Sequence, residues 1–246
     1  MKVYPLWVGE FEARDSTSFR GGNPELVVWY ASYIFYIEGA RRKTVVDTSF
    51  TDPKICLEQM NHPSRRPAGS SVEEKLATVG VKPTDIETVV LTHCHWDHIG
   101  GLSLFPNAQI FCQRAEVAWS LSPPDWMASA YPRALCHSLP SVKDRLTVID
   151  GDYVLEEGIE LRLVGAHSPG SQMVEVSGDE HQIVITGDAV LHFENLEKQI
   201  PIGTYHSLET AITVLKNLRN RMLRDDTLVV LPSHDPKVAE KYPSGI

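Results

Sequence analysis

The sequence predicts a layered α/β fold. Strand-length apolar runs recur along the chain, helical patterns are fewer, and the helices fall between groups of strands, which fits a layered arrangement better than an all-β barrel. The first long run is "LVVWYASYIFYI" (Leu26 to Ile37). "EGARRK" then reads as a hairpin turn leading into "TVVDT" (Thr44 to Thr48). "SSVEEKLATVG" is expected to be a helix, with Ser70 and Glu73 or Ser71 and Glu74 at capping-box spacing and Gly80 as its stop. Strands follow at "ETVVLTH" and "AQIFCQ", then a short helix at "RAEVAWSL". "IELRLVGAH", "QMVEVS", "QIVITGD" and "TLVVLPSHD" are further strands, most of them bounded by Gly, Pro, Asp or Asn. Before the last of them, "HSLETAITVLKNLRNRML" places Leu208, Ala211, Ile212, Leu215, Leu218 and Met222 on one helical stripe.

Three segments carry no clear pattern: "FEARDSTSFRGGNPE", "FTDPKICLEQMNHPSRRPAGS" and "SLSPPDWMASAYPRALCHSLPS". Long irregular stretches within a compact domain are usually functional or mobile, and the third, with Trp126, Met127 and Tyr131, is the expected pocket wall. No internal repeat or low-complexity linker divides the 246 residues, so residues 1–246 are expected to form one domain.

Composition narrows the partners. A net charge of -9 argues against nucleic acid, whose binding depends on clustered Lys and Arg. No apolar run approaches the roughly 18 residues of a membrane span, and "MKVYPLWVGEFEARD" turns acidic before a signal-like core develops, so a cytoplasmic location is expected. Cys56, Cys94, Cys112 and Cys136 lack C-x-x-C spacing and read as reduced thiols.

The chemistry concentrates in "LTHCHWDHIGG" (Leu91 to Gly101). At a strand end alternate side chains share a face, so His93 and His95 point together while Cys94 points behind them as a small buried hydrophobe. As the chain turns at Gly100 and Gly101, Asp97 and His98 can reach a second position beside the first. Four such ligands exceed what one tetrahedral ion takes easily from one segment, so two ions are the natural reading. Three later strands end on His167, Asp188 and His234, bringing seven potential ligands to one edge. Leaving this set without metal would crowd three imidazoles and a carboxylate at a cost. Isolated His62, His137, His181 and His206 are read instead as ordinary polar residues.

"HCHWDH" resembles the H-x-H-x-D-H signature of the metallo-β-lactamase superfamily, and the likeness continues through "VVDTSF" around Asp47, "GAHSPGS" around His167, "TGDA" around Asp188 and "PSHD" around His234. The resemblance implies a four-layer αββα sandwich with two metal ions at one edge of its sheets. Within the superfamily the chain is most similar to the N-acyl-homoserine lactonase branch, on "YPLWVG", the loop before "WYASYIFYIEG", "GDAVLHFENLE" and "SHD". That likeness implies that His93, His95 and His167 hold one ion, Asp97, His98 and His234 the other, and Asp188 bridges them; a homodimer is also possible. The chain departs from the branch in three places. "VGAHSPGSQ" puts Ser171 at a second histidine that is not normally a ligand, Leu191 stands where many such lactonases have a substrate-contacting tyrosine, and "TYHS" replaces F-D-P. His192 or Tyr205 could take over from the tyrosine.

The expected activity is hydrolysis of a lactone similar to an acyl-homoserine lactone. Two dications, zinc by first expectation and iron, cobalt or manganese by supply, generate a bridging hydroxide that attacks the ester carbonyl. Asp97 relays the proton to the leaving oxygen, and Asp47 holds the outer ring nitrogen of a ligand histidine. Leu191, Trp126, Met127, Tyr131 and Phe193 could line an acyl slot, and suit a core equally well. The alternative is another hydrolase on the same scaffold: a thioesterase resembling glyoxalase II, a β-lactam hydrolase or a phosphodiesterase, the last disfavoured by the acidic balance and the lack of an Arg/Lys cluster. A flavodiiron-like redox protein fits less well, because His95 stands where that site usually has a carboxylate and a second domain is missing.

Overall fold

The computed structural model describes residues 1–136 and 139–246; His137 lies outside them. In chain order the elements are β1 (Lys2–Arg14), α1 (Asp15–Ser18), β2 (Val27–Glu38), β3 (Thr44–Val46), α2 (Pro53–Met60), β4 (Ser64–Arg65), α3 (Val72–Ala77), β5 (Thr88–Val90), α4 (Trp96–Ile99), β6 (Gln109–Gln113), α5 (Arg114–Leu121), α6 (Arg133–Cys136), β7 (Leu146–Ile149), β8 (Tyr153–Glu156), β9 (Ile159–Leu163), β10 (Gln172–Ser177), β11 (Gln182–Ile185), α7 (Phe193–Lys198), α8 (Leu208–Met222), β12 (Leu228–Leu231) and α9 (Lys237–Lys241). No helix among the described residues is long and apolar enough to cross a membrane.

Two sheets form, with strand orders β4-β1-β2-β3-β5-β6-β7 and β12-β11-β10-β9-β8. Tyr33, Phe35, Val46 and Val90 of the first meet Ile159, Leu161, Val174 and Ile185 of the second in one buried layer. The outer face of the first sheet packs Ile34, Val45 and Val89 against Val72 and Leu76 of α3. The outer face of the second packs Val184 and Val230 against Ala211, Val214, Leu215 and Leu218 of α8. The result is the expected four-layer αββα sandwich.

Strand direction places the site. β3, β5 and β6 run parallel, so residues 47 and 91–98 leave the first sheet at one edge. β9 and β11 are each antiparallel to β10, and β12 is parallel to β11, so the chain also leaves β9, β11 and β12 at one common end. Gln172 stitches the sheets together there: its N–H donates to the Thr92 carbonyl at 2.9 Å and its amide to the Leu91 carbonyl at 2.8 Å.

Several local expectations need correction. The start of "FEARDSTSFRGGNPE" is not loop, because Phe11–Arg14 complete β1, which pairs with β2 along nearly its whole length, and Asp15–Ser18 form α1. Pro5 and Gly9 interrupt its pattern, yet the long partner strand holds it. The second patternless segment contains α2, with Asp52 accepting from the Lys54 N–H, Pro53 in the first turn and Asn61 closing it at φ 56°. On α8 the buried stripe uses Val214 rather than Ile212, and Met222 is exposed. At α3 the capping box is Ser71 with Glu74, not Ser70 with Glu73. "EGARRK" does connect two antiparallel strands, β2 and β3.

The segment after β3 is folded tightly against α4. Asp47 and Ser49 adopt φ 59° and 65°, a region that non-glycine residues enter only when the surroundings enforce it. Thr48 donates both its N–H (2.7 Å) and its hydroxyl (2.8 Å) to the His98 carbonyl. Gly101 lets the two segments close, since a Cβ there would lie 2.1 Å from the Thr48 carbonyl oxygen. Gly101→Ala should therefore cost on the order of 3 kcal/mol and lower the thermal midpoint by roughly 5–10 °C. Differential scanning calorimetry checks it; an unchanged midpoint would show that this contact does not constrain the fold.

Candidate metal centre

β5 ends at Val90, so His93 and His95 do not sit on a strand pleat as expected. They occupy the loop that follows, and Asp97 and His98 belong to the single turn of α4, closed by the His98 and Ile99 N–H groups on the His95 carbonyl. The division into two pairs thus arises from a loop-to-helix change rather than from a pleat that breaks. His167, Asp188 and His234 likewise lie beyond the ends of β9, β11 and β12 rather than on them. Gly187, itself at φ 48°, turns the chain into Asp188, and a Cβ on Gly187 would lie 2.7 Å from that of Thr92.

The side chains gather in two groups, His93, His95, His167 and Asp188 in one and Asp97, His98 and His234 in the other, with ligand atoms within 4.8 Å of one another in each. Asp188 faces both. Its Oδ2 lies 3.3 Å from His167 Nε2 and 3.7 Å from His93 Nε2, and its Oδ1 lies 3.2 Å from His98 Nε2 and 3.1 Å from His234 Nε2. Asp97 Oδ2 stands 3.4 Å from His98 Nε2 and 3.5 Å from His234 Nε2.

Four imidazoles are held from behind. Nδ1 of His93 lies 3.1 Å from the Thr92 hydroxyl, Nδ1 of His98 2.8 Å from Asp47 Oδ2, Nδ1 of His167 2.6 Å from the Thr204 carbonyl and Nδ1 of His234 2.8 Å from the Ala31 carbonyl. A carbonyl or carboxylate acceptor puts the hydrogen on Nδ1 and leaves the Nε2 lone pair facing inward. Asp47 is itself fixed, accepting the Thr92 N–H and hydroxyl at 2.7 Å each.

The donor set fits divalent metal. Among the described residues, His93 Nε2, His95 Nε2, His98 Nε2 and Asp188 Oδ1 are buried with no hydrogen-bond partner, an arrangement that is costly unless something else satisfies them. Burial, reinforced by neighbouring imidazoles, pushes His93 and His95 well below the ordinary imidazole range. Burial also opposes charge on His98 and His234, but Asp188 and Asp97 outweigh it and hold both up. For Asp188 and Asp97 the surrounding imidazoles overcome burial and hold the carboxyls down. Carboxylates beside imidazoles form the kind of set that takes two divalent ions.

A cavity of about 250 Å³ opens onto this cluster, with His95, Asp97, His167, Asp188 and His234 in its wall. Phe11, Tyr30, Met127 and Leu191 add apolar surface, and Trp126, 68% exposed, stands at its rim. A larger cavity of about 490 Å³, between β9, β10 and α8, carries arginines and apolar groups but none of the clustered ligands.

The expected substrate contacts separate here. Leu191, Trp126 and Met127 line the cavity, whereas Tyr131, Tyr205, His192 and Phe193 do not. Tyr131 is buried with its hydroxyl 2.9 Å from Glu116 and its ring against His95. Tyr205 packs beside the α8 core, and Phe193 belongs to the layer between the sheets. His192 is packed against Phe19 and Tyr30, and burial pushes it down to about 4.

Three residues escaped sequence reasoning. Tyr30 stacks on His234 at 5.5 Å, and its hydroxyl is held by Ser18 and by the Arg14 carbonyl. His62, read as an ordinary polar residue, lines the cavity. Glu116, fully buried on α5, accepts from the Cys94 N–H (2.9 Å), the Tyr131 hydroxyl (2.9 Å), the Ser168 hydroxyl (2.6 Å) and the Gly170 N–H (3.2 Å). It thereby ties the His93–His95 loop to the loop bearing His167. A glutamate in the first turn of a helix carries no signal in sequence that separates it from a solvated one. Cys94 is buried beside the cluster, 3.6 Å from Cys112.

Residues 27–234 match the family model described as the Metallo-beta-lactamase superfamily. An N-acyl homoserine lactonase of Bacillus cereus is 30% identical over 161 residues, which cover 65% of this chain and 60% of that protein. The N-acyl homoserine lactonase AttM of Agrobacterium fabrum is 28% identical over 168 residues, 66% of this chain and 63% of that one. The matched part thus spans less than two thirds of these relatives. The solved structure of an N-acyl homoserine lactone hydrolase with N-hexanoyl-L-homoserine at its catalytic metal center superposes with a TM-score of 0.81 at 22% identity, covering 100% of this chain and 98% of that one. AidC, a dizinc quorum-quenching lactonase, superposes at 0.74 and 20% identity, covering 95% and 87%.

Glu116→Gln leaves an amide group facing at least one backbone N–H. The exchange should destabilise the fold by about 2 kcal/mol and weaken metal retention by roughly 10- to 100-fold. Thermal unfolding and competition with a chelator check this, and a variant equal to the parent in both would remove Glu116 from the support of the centre.

Proposed function

Because the chain belongs to the metallo-β-lactamase superfamily, we propose that its converging side chains hold two divalent metal ions and that the protein hydrolyses the lactone ring of an acyl-homoserine-lactone-like ester. The observation that carries this reading is Asp188 between two imidazole groups, each of its oxygens turned to a different one. His93, His95 and His167 would hold one ion, Asp97, His98 and His234 the other, and Asp188 both. Zinc suits such a set, and a structural relative is described as dizinc; iron, cobalt and manganese suit it by donor type.

When bound, the ions supply Lewis acidity that polarises an ester carbonyl and lowers the pKa of water toward neutrality. The chain supplies position and proton transfer. Asp47 and the carbonyls of Ala31 and Thr204 keep His98, His234 and His167 aimed inward. Asp97, in the cavity wall, takes the proton released by the attacking water and passes it to the departing ring oxygen. Phe11, Tyr30, Met127 and Leu191 offer the acyl chain an apolar wall. The lactonase relatives support a lactone over other esters, and a structural relative is described as quorum-quenching, the role such an activity would serve. Ligands drawn from both sheets support reading residues 1–246 as one catalytic domain.

The test begins with metal content, expected at two ions per chain. Proton release is then followed with acyl-homoserine lactones of several chain lengths, a glutathione thioester and a chromogenic cephalosporin. Metal-replete protein that opens the thioester or the β-lactam and leaves every lactone intact would overturn the lactonase reading. Removing metal with a chelator should abolish turnover, and Asp97→Asn should lower kcat by about 100-fold or more. A His93→Ala variant with full metal content and rate would sink the ligand assignment.

A further inference from the structure

His62 lies outside the ligand motif, just beyond the end of α2, and its ring is fixed by two contacts. It lies flat on Trp96, with ring centroids 4.5 Å apart and planes 4° from parallel, and its Nε2 is 3.3 Å from the Ser129 carbonyl oxygen. Trp96 stands between His95 and Asp97, so the stack references His62 directly to the metal cluster. A carbonyl can only accept, so Nε2 carries the hydrogen and the neutral ring presents Nδ1 as an acceptor. Among the described residues no protein donor reaches Nδ1, and His62 shares the cavity wall with Asp97 and Asp188.

We propose that His62 is a specificity-determining residue, selecting lactones that carry an N–H on the carbon beside the ester carbonyl. The inference rests on the lactonase reading of the site. In this reading Nδ1 faces the cavity, and a ligand that fills it removes solvent from that nitrogen. An N-acylamino lactone pairs that nitrogen through its amide N–H, whereas an alkyl lactone of similar size leaves it unpaired, and an unpaired polar group in a closed site is how enzymes reject an analogue lacking the matching donor.

The test compares hexanoyl-homoserine lactone with γ-decalactone, which lacks the N–H, on the metal-loaded protein. His62→Phe keeps a flat ring for the stack and removes the acceptor. It should lower kcat/KM for the acyl-homoserine lactone about tenfold, mainly through KM, and leave γ-decalactone within about twofold. His62→Asn, whose side-chain oxygen can stand near the position of Nδ1, should recover part of the selectivity. From the substrate side, N-methylation of hexanoyl-homoserine lactone should cost the parent protein about tenfold and cost His62→Phe little. This comparison still decides on the parent protein if His62→Phe does not fold, because an N-methylated lactone turned over as fast as its parent compound overturns the proposal. Equal loss on both lactones in His62→Phe, or no loss on either, also overturns it. A parent protein that opens neither lactone overturns the lactonase reading, and the role of His62 falls with it.

Discussion

Five imidazoles and two carboxylates, each at most 6% exposed, occupy one edge of this fold, and the architecture around them follows from the cost of keeping them there. A buried polar group is tolerable when its partners are fixed in advance. Here the outward ring nitrogens of His98, His167 and His234 meet Asp47 and two backbone carbonyls, so the inward lone pairs have one direction left. Those partners belong to different elements: Asp47 follows β3, Ala31 lies on β2 and Thr204 precedes α8. The centre is therefore assembled only when both sheets have formed and packed. Gln172, bridging from β10 to the Leu91 and Thr92 carbonyls, is one direct seam between them.

This dependence explains which parts of the structure were legible in the sequence. The motif at the centre of the cluster was legible because its residues are adjacent in the chain, and the later cluster residues because each follows a short apolar strand. β1 was not, because Pro5, Gly9 and alternating charges hide a strand that exists by pairing with β2. α2 was not, although its Asp52-Pro53 start and Asn61 stop were present, because its burial is confined to Cys56 and no apolar stripe announces it. Tertiary partners decided both.

Within the site, the same distinction separates what holds the cluster from what touches a ligand. Asp47 could be anticipated from its place at the end of a strand beside the motif. Glu116 could not, since its four donors come from residues 94, 131, 168 and 170, which only the fold brings together. Tyr131 looked like a pocket aromatic because it lies in an aromatic, Pro-rich segment, yet its hydroxyl serves Glu116 and its ring backs His95. Residues in one loop can face opposite sides of a site, and composition alone does not tell them apart.

The cavity wall has a different origin from its floor. The floor is carried by turns at strand ends, where φ values at Asp47 and Gly187 and the close approach at Gly101 leave little room for change. The wall is gathered from β1, β2, the segment after α2, the turn at Trp126 and the turn at Leu191, elements outside the ligand-bearing turns. Leu191 and the other wall residues stand apart from the support that holds the cluster, so a change on the wall need not disturb it. Rigid support beneath adaptable contacts lets one ligand set serve substrates that differ only in what surrounds the reacting bond.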